Sequence, residues 1–438
     1  MTEEEWRSSA WRTVDDLAKE GLSGPGGHAR ALVTVAMLLK SCPLTISRRY
    51  GYADAGFFEL QVLAANARLM DDDHAIPRAD EAVETLFVAL SVQLNALDAL
   101  HHELEGDLAP AEPNEDWRVA YPDGEAFLIP RGGLHRTSAR REDAPWQITL
   151  RWRDLMPHHR LLPVELNGVA IELHWRDMAS AWPASAPFGA GFFTGVAFED
   201  DLPGKDFVVT GVTCANHNGQ VRDRLEAAHD AQCVALILPE LTMPPEQVDV
   251  LQEHLRQRIR WASAQPISAP ALIVAGSWHV PVDEAGRMGN VAPVFDAYGE
   301  PILHHTKLLA YNAGGAPERI VAGDRLHVLV TEDRLIGFGV CLDFCERLEG
   351  AYFPEFDIDY ALVTSCGEDK TMLGHIATAR DMITRFRSRA FVVQHRYPPF
   401  TPPGATQPIG YVLPPRDDPS ADPNNTRVHD VFSVHPSD

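Results

Sequence analysis

Four uninterrupted apolar runs constrain this chain more than any other feature: VALIL at 234–238, ALIVA at 271–275, LIGFGV at 335–340 and ALVT at 361–364. Each is too short to be a helix buried on all sides, and each is rich in branched side chains. Each therefore reads as a strand covered on both faces. Between and after them lie amphipathic stretches. NGQVRDRLEAAHDAQ (218–232) and TMLGHIATARDMITRFRSRA (371–390) have helical spacing, and EQVDVLQEHLRQRIRWAS (246–263) sets Val248, Leu251, Leu255 and Ile259 on one face. FVVTGVTC (207–214) reads as another buried strand. Joined through the first helix to CVALILPE (233–240), it predicts a β-α-β unit with both strands parallel in one sheet. VAPVFDAYGEPILHHTK (291–307) and LHVLVTEDRLIGFGVCLD (326–343) read as hairpins. The alternation predicts a layered α/β domain over 206–410.

The rest of the chain has other textures. Residues 1–110 predict a helical region, with three- and four-residue apolar spacing in 31–41 and 80–104. His101, His102 and Glu105 match no metal motif and read as a solvated helix end. Residues 111–205 predict a mixed or β accessory segment. In it LLPVELNGVAIELHW carries a hairpin turn at Asn167-Gly168, and SAWPASAPFGAGFFTG reads as a loop. The proline-rich tail, 411–438, predicts irregular, extended chain wrapping a surface or reaching a neighbouring subunit.

The net charge is −24, with no basic stripe, which argues against nucleic acid or an anionic membrane surface as partner. No stretch reaches the ~18 uninterrupted apolar residues of a membrane span, and the N-terminus lacks the pattern of a secretory leader. Six scattered cysteines with no CxxC suit reduced thiols, so the expected location is cytoplasmic.

Three strand ends carry chemistry: Glu240 after CVALILP, Lys307 after PILHHT, and Cys341 after LIGFGV. A thiol with an ordinary pKa of about 8.5 is mostly protonated at neutral pH and needs a base to become a nucleophile. A carboxylate supplies that base. An ammonium offsets the charge on the thiolate and then on the tetrahedral oxyanion, and the Leu342 N–H is a natural second donor. Asp343 reads as a structural hydrogen-bonding group. Cys345 and Cys366 read as pocket or packing thiols, and His304 and His305 as surface or hairpin residues.

The order ILPE … HTK … GVCLD resembles the nitrilase superfamily of carbon–nitrogen hydrolases. AGSW (275–278), the Asn290 hairpin, PERIVAGD (317–324) and Arg389-Ala390-FVVQ agree with that resemblance. It implies a nitrilase-like four-layer α-β-β-α sandwich and a triad of Glu240, Lys307 and Cys341. It further implies Glu318 as a second, substrate-orienting glutamate, a homodimer or higher homo-oligomer, and no metal or organic cofactor. Its substrate would be a small amide or carbamoyl compound. Cys341-Leu342-Asp343 departs from the Cys-Trp-Glu of nitrile-cleaving members and is nearer the amidase and carbamoylase pattern, although Leu342 replaces the usual aromatic. The family's Arg-Phe-Pro-Glu after the aspartate is absent. Alternatives are a nitrilase, an amine N-acyltransferase of the same superfamily, and a catalytically degenerate assembly or binding protein.

Overall fold

The computed structural model describes residues 2–20, 23–71, 73–76, 82–105, 117–130, 144–176, 187–201, 206–261, 270–313, 315–331, 334–346, 351–397, 407–416 and 422–436. It divides into two compact units, 1–164 and 165–438. The expected 111–205 segment is therefore not one body. Its first part carries strands whose Leu128, Ile148 and Leu161 enter the core of the helical unit, and its second part supplies strands to the other unit. The linker-like 108–116 lies outside the described residues.

In the first unit α1 (Glu3–Lys19) starts at a capping box, in which Thr2 and Glu5 satisfy each other's backbone N–H groups. α2 (Gly24–Lys40), α3 (Leu44–Arg49), β1 (Tyr52–Asp54), α4 (Ala55–Leu69) and α5 (Val83–Glu105) follow, then β2 (Arg118–Tyr121), β3 (Gly124–Pro130), β4 (Gln147–Thr149) and β5 (His159–Pro163). α5 is long and apolar enough to cross a membrane. Its Leu86, Leu90, Leu94 and Leu97 are buried in one cluster with Trp6, Leu32 and Val35. The end of α5 departs from the sequence expectation: His101 is buried and stacks on His159, whose Nδ1 lies 2.8 Å from the buried Asp98 carboxylate.

The second unit begins with β6 (Glu165–Leu166) and β7 (Val169–Trp175), joined by the expected turn, with Asn167 and Gly168 both at positive φ. β8 (Phe188–Gly191), β9 (Ala197–Asp201), β10 (Val208–Thr213), α6 (His217–Asp230), β11 (Ala235–Leu238), α7 (Pro245–Trp261), β12 (Leu272–Ala275) and β13 (Trp278–Pro281) come next. Then follow β14 (Met288–Asp296), β15 (Pro301–Thr306), β16 (Asn312–Ala313), β17 (Ala316–Pro317), β18 (Arg325–Val330), β19 (Leu335–Val340) and the single turn α8 (Leu342–Cys345). β20 (Tyr360–Gly367), α9 (Asp369–Phe386), β21 (Arg389–Arg396), β22 (Gly410–Leu413), β23 (Arg427–Val428) and β24 (Phe432–His435) complete it.

Two sheets form the middle of this unit. One runs β13-β14-β12-β11-β8-β24, with β15 also on β14; the other runs β23-β22-β21-β20-β19-β18-β7-β6. The apolar runs explain the layering. Ala235 and Ile237 of β11 face a core shared with Leu329, Phe338, Leu362 and Phe391 of the other sheet, whereas Leu236 and Leu238 face Val221, Leu225, Leu251 and Leu255 of α6 and α7. α9 packs on β20–β22, burying Met372, Ile376, Ala379 and Met382. The result is the expected four-layer α-β-β-α order.

Two expectations fail. The strand parallel to β11 across α6 is β8, not β10; among the described residues β10 pairs only with β9, in a two-stranded ribbon. β8 reads FGAG because its neighbours come very close. A Cβ on Gly191 would stand 2.8 Å from the Leu238 side chain and 3.2 Å from Arg224. The glycines that imitate a loop are thus a packing requirement. The tail is also not merely extended chain. β24 pairs antiparallel with β8 at the edge of one sheet, and β22 pairs with β21 in the other. The prolines at 398–404 lie outside the described residues.

Candidate active site

Both sheets deliver reactive side chains to one cavity. Glu240 lies two residues past β11, and its N–H donates to the Ser365 carbonyl of β20 at 3.3 Å. Lys307 follows β15, its N–H held by the Asn290 carbonyl of β14 at 2.8 Å. Cys341 directly follows β19, with its N–H on the Thr364 carbonyl at 2.9 Å. The Thr364 hydroxyl donates in turn to the Leu238 carbonyl at 2.8 Å, joining the two sheets beside the site. Lys307, Glu240, Cys341 and Glu318 are 1–4 % exposed, so their charges must be compensated by one another.

That compensation is explicit. Lys307 Nζ donates to Glu240 Oε1 at 2.9 Å and to Glu318 Oε2 at 2.7 Å. The Asn290 amide donates to the same Glu240 oxygen at 2.9 Å and to Glu318 Oε1 at 3.0 Å. The Cys366 N–H donates to Glu240 Oε2 at 2.9 Å, and the Tyr311 N–H donates to Glu318 Oε2 at 3.0 Å. His279 Nδ1 accepts the Val209 N–H at 2.8 Å, which leaves Nε2 as the protonated nitrogen facing Glu318 Oε1 at 2.8 Å.

The two glutamates therefore differ. Burial raises the Glu318 pKa, but Lys307 and the His279 hydrogen bond outweigh it and hold the carboxyl well below the usual range. Glu240 shares the same ammonium without a histidine. Burial raises its pKa, Lys307 offsets part of that, and the Glu318 charge raises it further. Glu240 is the carboxylate with proton affinity to spare; the Cys341 thiol donates weakly to the Cys366 carbonyl, 3.8 Å away, and shares the cavity with Glu240. Burial pulls Lys307 down, but Glu240 and Glu318 carry it well above its ordinary value, so it stays cationic. Burial and then the Glu240 charge raise the Cys341 pKa far above that of a free thiol.

The backbone at Cys341 is strained. Cys341 has φ 49° and ψ −103°, outside the regions an L-residue ordinarily adopts. Such a backbone costs about 1–3 kcal/mol and persists only where its surroundings fix it. Here the Cys341 carbonyl accepts the N–H groups of Phe344 and Cys345, and Asp343 Oδ2 accepts the Val340 N–H at 3.1 Å. Asp343 Oδ1 also accepts the N–H groups of Leu308 and Leu309, both at 2.9 Å, and His305 Nε2 lies 3.2 Å from Oδ2. Asp343 is thus structural, as expected, and His305 is a buried partner of it, not a surface residue.

A cavity of about 260 Å³ opens on Glu240, Lys307, Glu318 and Cys341, with Phe207, Leu241, Tyr311 and Tyr397 among its walls. Cys366 also lines it; among the described residues, Cys345, His304 and His305 do not. All six cysteines are free, and burial pushes Cys345 up to about 12. His279 escaped the sequence reading as a site residue although it adjoins AGSW, and Asn290 was legible only as a hairpin residue. Neither carries a sign of its hydrogen bonds to the glutamates.

The fold and side chains define a two-sheet sandwich with a buried thiol–carboxylate–ammonium site at one end. No protein-family model matches the chain, and no curated protein does. Among solved structures it is similar to a variant of the amidase from Nesterenkonia AN1, of the nitrilase superfamily, at 18% identity and TM-score 0.38, over 58% of this chain and 92% of that one. It is also similar to Nit3 of Saccharomyces cerevisiae, a member of branch 10 of the nitrilase superfamily, at 13% identity and TM-score 0.40, over 59% and 92%. At this distance the chemistry has to be argued from the side chains themselves.

Proposed function

We propose that the 165–438 unit is a cysteine hydrolase of the nitrilase superfamily, cleaving a non-peptide carbon–nitrogen bond in a small amide or carbamoyl compound. The observation that carries this reading is Lys307 held between Glu240 and Glu318 in the cavity that contains Cys341. A cation there serves no ordinary packing purpose. In this reading it stabilises the negative charge that develops on a carbonyl attacked by the sulfur.

In this reading Cys341 Sγ bonds to the carbonyl carbon as its proton passes to Glu240. The carbonyl electron pair moves to oxygen, where the Lys307 ammonium and the Leu342 N–H hold it. The carbon–nitrogen bond then breaks, and the departing amine takes the proton from Glu240. Water attacks the thioester while Glu240 accepts its proton, the acid is released, and the thiol is restored. Glu318 keeps Lys307 charged and in place. The raised proton affinity of Glu240 suits a group that must both take and return a proton. Phe207, Val209, Leu241 and Ala316 line the cavity, which favours a small acyl group without charge.

The test is amine or ammonia release from a panel of small aliphatic amides, carbamoyl amines and nitriles. Release from amides or carbamoyl compounds is expected, with Cys341→Ala and Glu240→Gln at least about a thousandfold slower. Activity confined to nitriles, or full activity in Cys341→Ala, contradicts the reading.

A further inference from the structure

On the inner face of the 165–438 sandwich the side chains change from apolar to metal-binding at one sheet edge. Leu329 of β18 lies in the core between the sheets. Two residues earlier on the same face is His327, and the parallel register sets Glu172 of β7 beside it, with His174 next on that face. His174 Nε2 lies 2.9 Å from His327 Nδ1 and 3.7 Å from Glu172 Oε1. One donor atom from each of the three falls within 4.8 Å of the others.

We propose that Glu172, His174 and His327 bind one divalent transition-metal ion of the zinc class, which pins strand β7 to β18. Ligands about 2.0–2.1 Å from a tetrahedral ion stand about 3.3–3.4 Å apart. The observed 2.9 and 3.7 Å straddle that value, so small side-chain rotations suffice. A nitrogen–nitrogen contact of 2.9 Å needs a lone pair on one atom, so at least one ring is already in the neutral form that coordinates. Two imidazoles and one carboxylate favour Zn²⁺, Co²⁺ or Ni²⁺ over Mg²⁺ or Ca²⁺. Three protein ligands leave a coordination position for water.

The surroundings fit this use. Arg325 Nη1 takes the other Glu172 oxygen at 2.8 Å, orienting the carboxylate so that Oε1 faces His174. All three ligands are half-buried, which gives an ion access while limiting side-chain freedom. Among the described residues the outer edge of β7 pairs with β6 only at Val169 and Ala170, so the segment with the ligands is the part of the strand most in need of a clip. The His327 ring meets His305 edge-on at 5.8 Å, and His305 contacts Asp343, so the site lies one imidazole away from the support of the nucleophile turn. The proposal is independent of the hydrolase reading.

The test uses the full chain, stripped with chelator and titrated with Zn²⁺, against His174→Asn and Glu172→Gln. One equivalent should bind with a nitrogen and oxygen shell by X-ray absorption, and should raise the melting temperature. Both variants should bind roughly tenfold or more weakly and lose the thermal shift. If His174→Asn proves less stable without metal, Glu172→Gln, whose carboxylate is 38 % exposed, keeps the comparison clean. Equal binding by wild type and variants, sulfur in the shell, or no stoichiometric binding overturns the proposal.

Discussion

Asp343, two residues past Cys341, accepts at 2.9 Å the N–H of Leu308, the residue after Lys307. This bond fixes the ends of two strands from different sheets relative to each other, and with them the sulfur and the ammonium. Asp343→Ala leaves the N–H groups of Leu308, Leu309 and Val340 without their buried acceptor. At about 1–3 kcal/mol for each orphaned group, partly relieved by water, a loss of about 3 kcal/mol or more is expected in chemical denaturation. A loss below about 1 kcal/mol contradicts the structural role.

Lys307→Met removes the cation shared by two buried carboxylates. Breaking such a pair costs about 3–5 kcal/mol, because uncompensated charge stays buried. The variant should lose activity and melt lower, and adding Glu318→Gln should recover part of the stability. No recovery in the double variant means that the two charges are not coupled through the ammonium.

The signs of the pKa shifts define two pH dependences. The Glu318 pKa is depressed in the folded protein, so its contribution to stability is present above the unfolded carboxylate range, about 4.3, and is lost as pH falls toward the folded value. Glu318→Gln should therefore flatten acid unfolding. The Lys307 pKa is raised, so its contribution is present below about 10.4 and is lost as pH rises through the folded value. Activity should follow Glu240 instead. Its base form is required and its pKa is raised, so the acid limb of kcat/KM should lie above the ordinary carboxylate range. An acid limb at or below about 4 rules out Glu240 as that base.

His279 holds Glu318 through Nε2 while Nδ1 accepts the Val209 N–H. His279→Phe should lower kcat about tenfold or more, since Glu318 keeps Lys307 but loses the second partner that holds its charge and orientation. His279→Gln, which can still donate, should restore part of that loss. Equal defects in the two variants point to packing alone.

Part of what was legible in the sequence followed from burial. Glu240 follows the apolar run VALIL and Pro239, and a charge in that position must find a partner inside the protein; Lys307, after the mixed strand PILHHT, and Cys341 stood out only through the ordered set of motifs shared with the resembled family. The alternation of strands and helices made a layered α/β domain legible, and the four-layer order came from the family resemblance. β8 was not, because Gly189 and Gly191 are small on account of Cys233, Phe432, Leu238 and Arg224, residues distant in sequence or on other elements. The β10 run FVVTG looked like a central strand because periodicity reports burial, not pairing partner. The Asn290 and His279 bonds to Glu318 depend on the register of β13 and β14, which no local pattern encodes.

The most direct test is mass analysis of the protein quenched in acid during turnover of an amide it cleaves. A covalent acyl intermediate should appear as a mass gain equal to the acyl group on the peptide containing Cys341, absent from Cys341→Ala, which should release no amine above background. Amine release at the wild-type rate by Cys341→Ala, with no acyl adduct on the wild-type peptide, contradicts the account.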